Sequence, residues 1–438
     1  MNNIVKGFAK HGKRLLSIGR GVRRDQNASS KYLFISFSAT KWDGPWYVRQ
    51  KLMSELSRQH KVIYVNQRKE VREVLSEMLK ITNWNFGIRR INENLFLVEA
   101  PWMFPKIYKL RYLDAIIERA YHGFIKLLST VVGKGRVKIV YIWEPAFSSV
   151  VRYYRKYRYI YHPYDLFEKY TFVLDRKEGG KPEAAGTNEK EQSLNGEREL
   201  VQNAFLFYAV SALLCKHYHD KFGRRPKLLL NGVQDLYFGG DDEELQREAK
   251  EILAKLPSRK IGFSGSIIGS LDLDVIVKSA RSLEDHTFVF VGMIRRTNIK
   301  EYDDKLDGLF SLKNVVHLGS VRLELLPYLL REMDALIMIY SNDKSIWTHY
   351  SGPAKLFEYM AIGKPIISTP HPAINQYNRY ISIVENAEQL IAAVKKIANG
   401  LDDRLLNEMV QIAKQNTWKE KEKVILEDIR EGLCRFTE

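Results

Sequence analysis

The segment Tyr350 to Pro370, reading YSGPAKLFEYMAIGKPIISTP, sets a lysine and a glutamate one helical turn apart behind a loop of small residues. Ser351, Gly352 and Pro353 are start signals for a helix over Ala354 to Ile362, Gly363 is its stop, and Lys364-Pro365 lead into a strand. A loop entering a helix aims backbone N–H groups and the positive end of the dipole at an anion. Lys355 in the first turn opposes that dipole unless a phosphate is there to be neutralised. Glu358, a turn later, presents a carboxylate that can accept the paired hydroxyls of a ribose or sugar. Taken alone, the same residues also suit an ordinary surface helix.

Two further groups follow apolar runs that read as strands. Trp42-Asp43-Gly44-Pro45 comes after the first, and Tyr161-His162-Pro163-Tyr164-Asp165 after a later one. In α/β proteins ligand contacts lie just beyond the carboxyl ends of strands. Asp165, with His162 as the alternative, is of a residue type that can move a proton at such a position. Turn formation explains both residues equally well. Metal dependence is not expected: Asp272 and Asp274 begin a helix after a loop, Asp402-Asp403 lies in a late polar segment, and no other acidic pair ends a strand.

The elements that must position these groups alternate between short β-rich runs and helix-period segments from about residue 31, the pattern of an α/β chain with parallel sheets. Strands are expected over 32–37, 62–65, 138–143, 158–161 and 205–210, and in a second series over 260–263, 288–291, 315–318, 335–339 and 365–367. Val48, Leu52, Met53 and Leu56 form one apolar helix stripe and Leu110, Leu113, Ile117 and Ala120 another, both expected to face the core. At 438 residues and 45% hydrophobic content there is material for two cores. The organisation expected is a basic N-terminal segment over 1–30, a Rossmann-like domain over 31–230, a linker over 231–258, a second Rossmann-like domain over 259–405, and C-terminal helices over 406–438 that cross back to the first. Within the first domain, residues 176–198 carry almost no large apolar side chain and are expected to be a flexible loop, favoured as a mobile lid.

A net charge of +17 draws anions such as nucleotide phosphates or acidic lipid head groups. Cys215 and Cys434 belong to no CxxC or Cys/His cluster, so neither a disulfide framework nor a structural zinc site is expected, and a reducing cytoplasm fits. No apolar run reaches the roughly 18 to 20 residues of a spanning helix. On a helical wheel Ile4, Val5, Phe8, Leu15, Leu16 and Ile18 gather opposite Lys6, Lys10, Lys13 and Arg14, with no acidic residue before Asp25. That is the make-up of a helix lying in an anionic membrane interface, from which a peripheral place on the inner face of the cell membrane is expected; the alternative reading is a frayed, solvated tail. The run RYYRKYRYIY over 152–161, with Lys106, Lys109 and Arg111, suggests a basic aromatic face that could stack bases or sit at a lipid interface.

The stretch AKLFEYMAIGKPIIS resembles the donor-binding motif of GT-B glycosyltransferases, particularly bacterial enzymes of capsule, teichuronic-acid and exopolysaccharide pathways. The resemblance implies two Rossmann-like domains facing across a cleft and transfer of a sugar from a nucleotide-sugar, UDP by preference, to a lipid-linked saccharide or glycan acceptor. It implies that Glu358 binds donor ribose and Lys355 donor phosphate, with Ser351, Gly352, Pro353 and Leu356 around them. The segment IGFSGSIIGSLDLDVI is similar to the family's first donor-domain strand and loop, which would set Gly265, Ser266 and Ile267 against the diphosphate. Asn231-Gly232-Val233 resembles the family's interdomain motif, and Thr417-Trp418 the start of its returning helix. Trp42, Asp43 and Gly44 fall where the family has a cleft-facing loop, and Asp165 where related inverting enzymes have their base. The familiar paired-glutamate form departs at Tyr350, where the first glutamate would stand, which removes a sugar-contacting carboxylate. The family's Arg and Lys phosphate pair is also absent from the first loop, leaving more of the charge to Lys355. A sugar-nucleotide epimerase, a non-catalytic GT-B partner and a nucleic-acid-binding protein are the alternatives. The basic N-terminus argues against the first, the dispersed basic residues and lack of a binding motif against the last.

Overall fold

The computed structural model describes residues 31–44, 46–78, 87–99, 102–108, 110–168, 187–257, 259–267, 269–296, 299–341, 349–397 and 402–435. The basic segment 1–30, Lys109 and the part of the expected loop before residue 187 lie outside these.

Two parallel sheets organise the chain. The first takes β1 (Tyr32–Ser38), β2 (Lys61–Asn66), β3 (Ile88–Arg90), β4 (Leu95–Val98), β5 (Val137–Ile142), β6 (Arg158–Tyr161), β7 (Leu206–Ala209) and β8 (Lys227–Leu228) in the order β3-β4-β2-β1-β5-β6-β7-β8, parallel except for β3 against β4. The second takes β9 (Arg259–Ser264), β10 (His286–Val291), β11 (Val315–His317), β12 (Ala335–Met338), β13 (Ile366–Ser368) and β14 (Ile381–Ile383) in the order β11-β10-β9-β12-β13-β14, all parallel. This is the doubly wound order of a Rossmann sheet, and in both sheets the order reverses beside the first strand. All ten expected strands are present; β3, β4, β8 and β14 were too short or too polar for the pattern to reveal.

Both faces of each sheet are covered, which is why their strands are continuous apolar runs. Along β1, Leu33, Ile35 and Phe37 enter one core with Ile63, Val140 and Ile142, while Tyr32 and Phe34 enter another with Val62, Tyr64 and Tyr141. Burying each Leu or Ile fully contributes about 1.5–3 kcal/mol before entropy is counted.

The helices are α1 (Val48–Leu56), α2 (Val71–Met78), α3 (Arg111–Val132), α4 (Thr187–Asn203), α5 (Ala212–Phe222), α6 (Glu243–Leu253), α7 (Leu273–Ser282), α8 (Lys300–Phe310), α9 (Leu326–Arg331), α10 (Lys355–Ile362), α11 (Ala387–Ile397), α12 (Asp403–Lys414) and α13 (Trp418–Cys434). Four of them correct the expectations. Residues 187–198 are not loop but belong to α4. Its holding contacts are polar ones that an apolar count misses: the buried Glu197 carboxylate accepts from Tyr161 at 2.8 Å and Tyr218 at 2.6 Å, and Gly196 lets the helix close on Ser148. Residues 233–253 are not a free linker either, since Val233, Tyr237, Ala249 and Leu253 are in the core of the second domain and α6 packs on α9. Of the C-terminal helices, α12 stays with the second domain against α10, and only α13 returns to pack on α1 and β7. The stripe Leu110, Leu113, Ala120 on and before α3 faces solvent; the buried side of that helix is Tyr121, His122, Ile125 and Ser129.

The outgoing and returning chains meet side by side. Val233 bridges Thr417, and Gly232 lies so close under Trp418 that a Cβ there would stand 2.8 Å from the indole. Thr417 caps α13 through the Glu420 amide, and Asp428 on that helix accepts from Tyr208 at 2.7 Å in β7.

Candidate functional site

In the second sheet the order reverses between β9 and β12, so the loops after these strands diverge and leave a crevice at their carboxyl ends. Gly265 follows β9 and Tyr340 follows β12. Between them enters Lys355, the first residue of α10, whose Nζ lies 3.3 Å from the Tyr340 hydroxyl and 5.0 Å from the centre of the Phe263 ring. Gly265 has φ +119°, and a Cβ there would lie 2.5 Å from Lys355 Cε, so glycine is required both by the backbone and by the lysine's path. Gly292, after β10, allows the Gly265 carbonyl to pack against it. Among the described residues no carboxylate pairs with Lys355. The sequence thus brings together a cation, a glycine turn and a helix N-terminus, the parts of an anion cradle.

Glu358 sits one turn further along α10 and is buried. Its Oε1 accepts from Lys51 Nζ at 2.5 Å, from α1 of the other domain, and Tyr237 donates its hydroxyl to the same carboxylate. Burial, and then the neighbouring Glu358 charge, hold the Tyr237 hydroxyl well above its usual pKa. Lys51 was missed in the sequence because it interrupts an apolar stripe and reads as surface. In fact α1 buries Arg49, Gln50, Lys51 and Glu55 as well as Leu52, Met53 and Leu56, since it is covered on several sides.

The remaining residues of the motif are structural neighbours of the cradle. The Gly352 carbonyl accepts from Asn231 Nδ2 at 2.7 Å and the Tyr350 carbonyl from Ser211 Oγ at 2.5 Å, tying the loop before α10 to the interdomain turn and the first domain. Ser351, Gly352 and Pro353 are half-buried there, while Leu356 is buried in the second-domain core. Tyr350, where the paired-glutamate form has its first carboxylate, packs against the first-domain core beside His217. Ser266 is half-buried next to Gly265. Ile267 does not fit its expected role: its side chain is wholly inside the core and its amide is committed to the Met293 carbonyl at 2.9 Å.

In the first sheet the reversal falls between β1 and β5, and this crevice is filled by the protein's own charges. Arg49 reaches Glu144 Oε1 at 3.1 Å and bonds Thr40, Tyr164 donates to Glu144 Oε1 at 2.9 Å, and the guanidinium lies 4.2 Å from the centre of the Tyr164 ring. Both charged side chains are buried, and Tyr164 and Glu144 hold the guanidinium pKa above its ordinary value despite the opposing effect of burial. Asp165, buried, follows immediately on Tyr164. Neither Arg49 nor Glu144 was singled out in the sequence; the only signal was that Glu144 closely follows the apolar run of β5, and Arg49, within α1, gave none.

Three expectations in this domain are corrected. His162 is not a cleft base: it is enclosed, its Nδ1 shares a proton with the Tyr141 hydroxyl at 2.8 Å, its ring stacks on Trp143, and burial lowers its pKa to about 3. Trp42 is core, edge-on to Tyr64 and Trp46, not cleft surface. Asp43 is exposed and paired with Arg89 in a surface ion cluster, with Gly44 in the adjoining turn. Arg295 was also missed; it follows β10 and donates to the Tyr47 hydroxyl at 2.7 Å across the domains.

Among the described residues, no group of three or more His, Cys, Asp or Glu is placed to hold a metal ion, and no helix is long and apolar enough to cross a membrane. Two surface grooves of about 600 and 640 Å3, one along α12 and one between α7 and α8, share none of the residues above.

Residues 258–400 match the family model described as Glycosyl transferases group 1. TuaH of Bacillus subtilis (strain 168), assigned to teichuronic acid biosynthesis as a glycosyltransferase, is 29% identical over 193 residues, 43% of this chain and 46% of TuaH. The match therefore spans less than half of that relative. Anabaena HepE in complex with UDP superposes with a TM-score of 0.59 at 13% identity over 92% of this chain and all of that one. Sucrose-phosphate synthase from Thermosynechococcus elongatus does so with a TM-score of 0.62 at 13% identity, over 92% and 99%. At these identities the two structures share the GT-B fold with this chain.

Proposed function

We propose, for a chain that carries a group 1 glycosyl transferase domain in a GT-B fold, that it transfers a sugar from a nucleotide-sugar to a saccharide acceptor of cell-surface polysaccharide synthesis. The observation that carries this reading is the Lys355 ammonium, without a carboxylate partner among the described residues, against Gly265 at the reversal point of the second sheet, with Glu358 one turn away on the same helix. That spacing suits a nucleoside diphosphate, its phosphates at the lysine and its ribose diol at the glutamate. UDP is the preferred nucleotide, in keeping with the UDP bound to HepE.

Bond cleavage at the anomeric carbon leaves negative charge on the diphosphate. Lys355 and the first turn of α10 face that charge already oriented, which stabilises it without reorganisation. Asp165 is the proposed base on the acceptor side, beside the Arg49, Glu144 and Tyr164 cluster. The chemistry assigned to these residues needs no resident metal or cofactor.

The acceptor is proposed to be lipid-linked and reached from an anionic membrane surface. Support comes from the outer face of α3 and the turn before it, where Tyr108, Tyr112, Ile116, Leu127 and Val131 are exposed, Tyr112 to 92%, among Arg111, Arg119 and Lys126. The run 152–161 packs on the buried side of the same helix, Tyr153 stacked on His122, and leaves Arg152, Arg155, Lys156 and Arg158 exposed. Such a mixture of apolar and basic side chains suits a lipid interface on the inner face of the membrane. Replacing Tyr112 and Ile116 by Glu should abolish sedimentation with phosphatidylglycerol vesicles; unchanged binding would remove this part of the reading.

The nucleotide is tested by calorimetric titration of UDP, GDP, TDP and CMP into the wild type, Lys355→Ala and Glu358→Ala. One nucleotide should bind selectively and both substitutions should weaken it at least tenfold. Absence of binding by all four would overturn the transferase reading.

A further inference from the structure

The carboxylate proposed for the ribose is already occupied, and by the opposite domain. Lys51 Nζ is 2.5 Å from Glu358 Oε1, both side chains are less than a tenth exposed (9% and 7%), and the Tyr237 hydroxyl is a second neighbour of the carboxylate. A carboxylate has further lone pairs, but this one is only 7% exposed, which leaves a ribose no approach while Lys51 is in place. Nor is Lys51 an isolated crossing. At the start of α1, Tyr47 accepts from Arg295 at 2.7 Å, and beyond its end Arg58 donates to Asp235 at 3.1 Å. The polar links of this helix to the second domain thus lie on both sides of Lys51.

We propose that Lys51 is a positioning residue of the donor site: it latches Glu358 when no nucleotide is bound, and the ribose diol displaces it, so that nucleotide binding and movement of α1 away from the second domain are coupled. This rests on the reading of Glu358 as the ribose-binding carboxylate. The exchange requires no bond to break beyond hydrogen bonds: two ribose hydroxyls replace one ammonium as donors to the carboxylate, and the freed lysine becomes available to the diphosphate or solvent. An internal competitor lowers the apparent affinity of the ligand that must displace it, and removing it returns that affinity. Couplings of this kind amount to about 5- to 150-fold in a binding constant.

The test is UDP calorimetry on the wild type, Lys51→Ala, Lys51→Arg, Glu358→Ala and the double variant Lys51→Ala with Glu358→Ala, with melting temperatures recorded in parallel. Lys51→Ala should bind UDP at least fivefold more tightly although it melts lower, Lys51→Arg should return to the wild-type constant, and Lys51→Ala should have no effect on affinity once Glu358 is gone. A lysine serving only to hold the domains together would lower the melting temperature without tightening UDP. Unchanged or weaker UDP binding by Lys51→Ala, with Glu358→Ala still impaired, would overturn the latch and leave the donor site standing. Full binding by Glu358→Ala would overturn the ribose assignment, and the latch with it.

Discussion

The two sheets each open a crevice where their strand order reverses, and the two crevices are finished in opposite ways. In the second domain the crevice is lined by glycine and a lysine that, among the described residues, has no carboxylate partner. In the first domain the crevice is closed on itself by Arg49, Glu144, Tyr164 and Thr40. One arrangement leaves a cation for an anion to meet; the other pairs its charges, Arg49 with Glu144, within the protein beside Asp165. The difference teaches that similar topology sets where a site can be, while the charge balance of a few side chains sets whether it waits for a ligand or serves as a frame.

The sharpest way to break this comparison is to remove one charge from each crevice. Arg49→Met leaves Glu144 buried with its cation gone, and loss of one partner from a buried pair costs about 3–5 kcal/mol. Urea unfolding should show that loss, whereas Lys355→Ala, which strands no carboxylate, should change stability by no more than about 0.5 kcal/mol. Equal losses for the two variants would contradict the asymmetry.

Acid should sharpen it next. The first domain buries His60, His122 and His162, and burial lowers their pKa values to about 4, 3 and 3. Because the folded values lie below the unfolded one near 6.5, the unfolded chain binds protons that the folded chain refuses. Stability is therefore complete above about pH 6.5 and falls as the pH drops toward 4. Between pH 7 and pH 5 each histidine should remove about 2 kcal/mol. His60, whose ring nitrogens have no hydrogen-bond partner and which packs between Tyr32 and Phe34, gives the cleanest control: His60→Phe should abolish one such share of the loss, measured by urea unfolding at both pH values. An unchanged pH dependence would show that His60 does not titrate as its burial requires.

A smaller effect is expected from the glycine turn. Gly265→Ala places a methyl group 2.5 Å from Lys355 Cε at a positive φ and must push the ammonium off its position. UDP should bind about tenfold more weakly, or ~1.4 kcal/mol, by calorimetry. Wild-type affinity would mean that Lys355 is not held by this turn.

How much of this was legible in the sequence follows from the same contrast. Strands buried on both faces print as unbroken apolar runs, so β1, β5, β9 and β12 were plain. The motif around Lys355 and Glu358 is local, its signals lying within one loop and one helix. Contacts that depend on the domains meeting left no such trace. Lys51 and Arg49 read as surface residues because nothing near them in sequence says that a second domain or a strand end will cover them. The polar stretch that becomes α4 read as loop because Glu197 is held by two tyrosine hydroxyls rather than by apolar area. Conversely, His162 looked reactive because its residue type is, and only its enclosure by Tyr141 and Trp143 shows why it is not.

Amide hydrogen exchange with and without saturating UDP tests the central claim most directly, since it reads both crevices in one experiment. The account predicts slowed exchange over residues 263–267 and 353–358, with residues 143–145 and 160–165 unchanged. Protection confined to the first-domain segments, or none in either crevice, would contradict it.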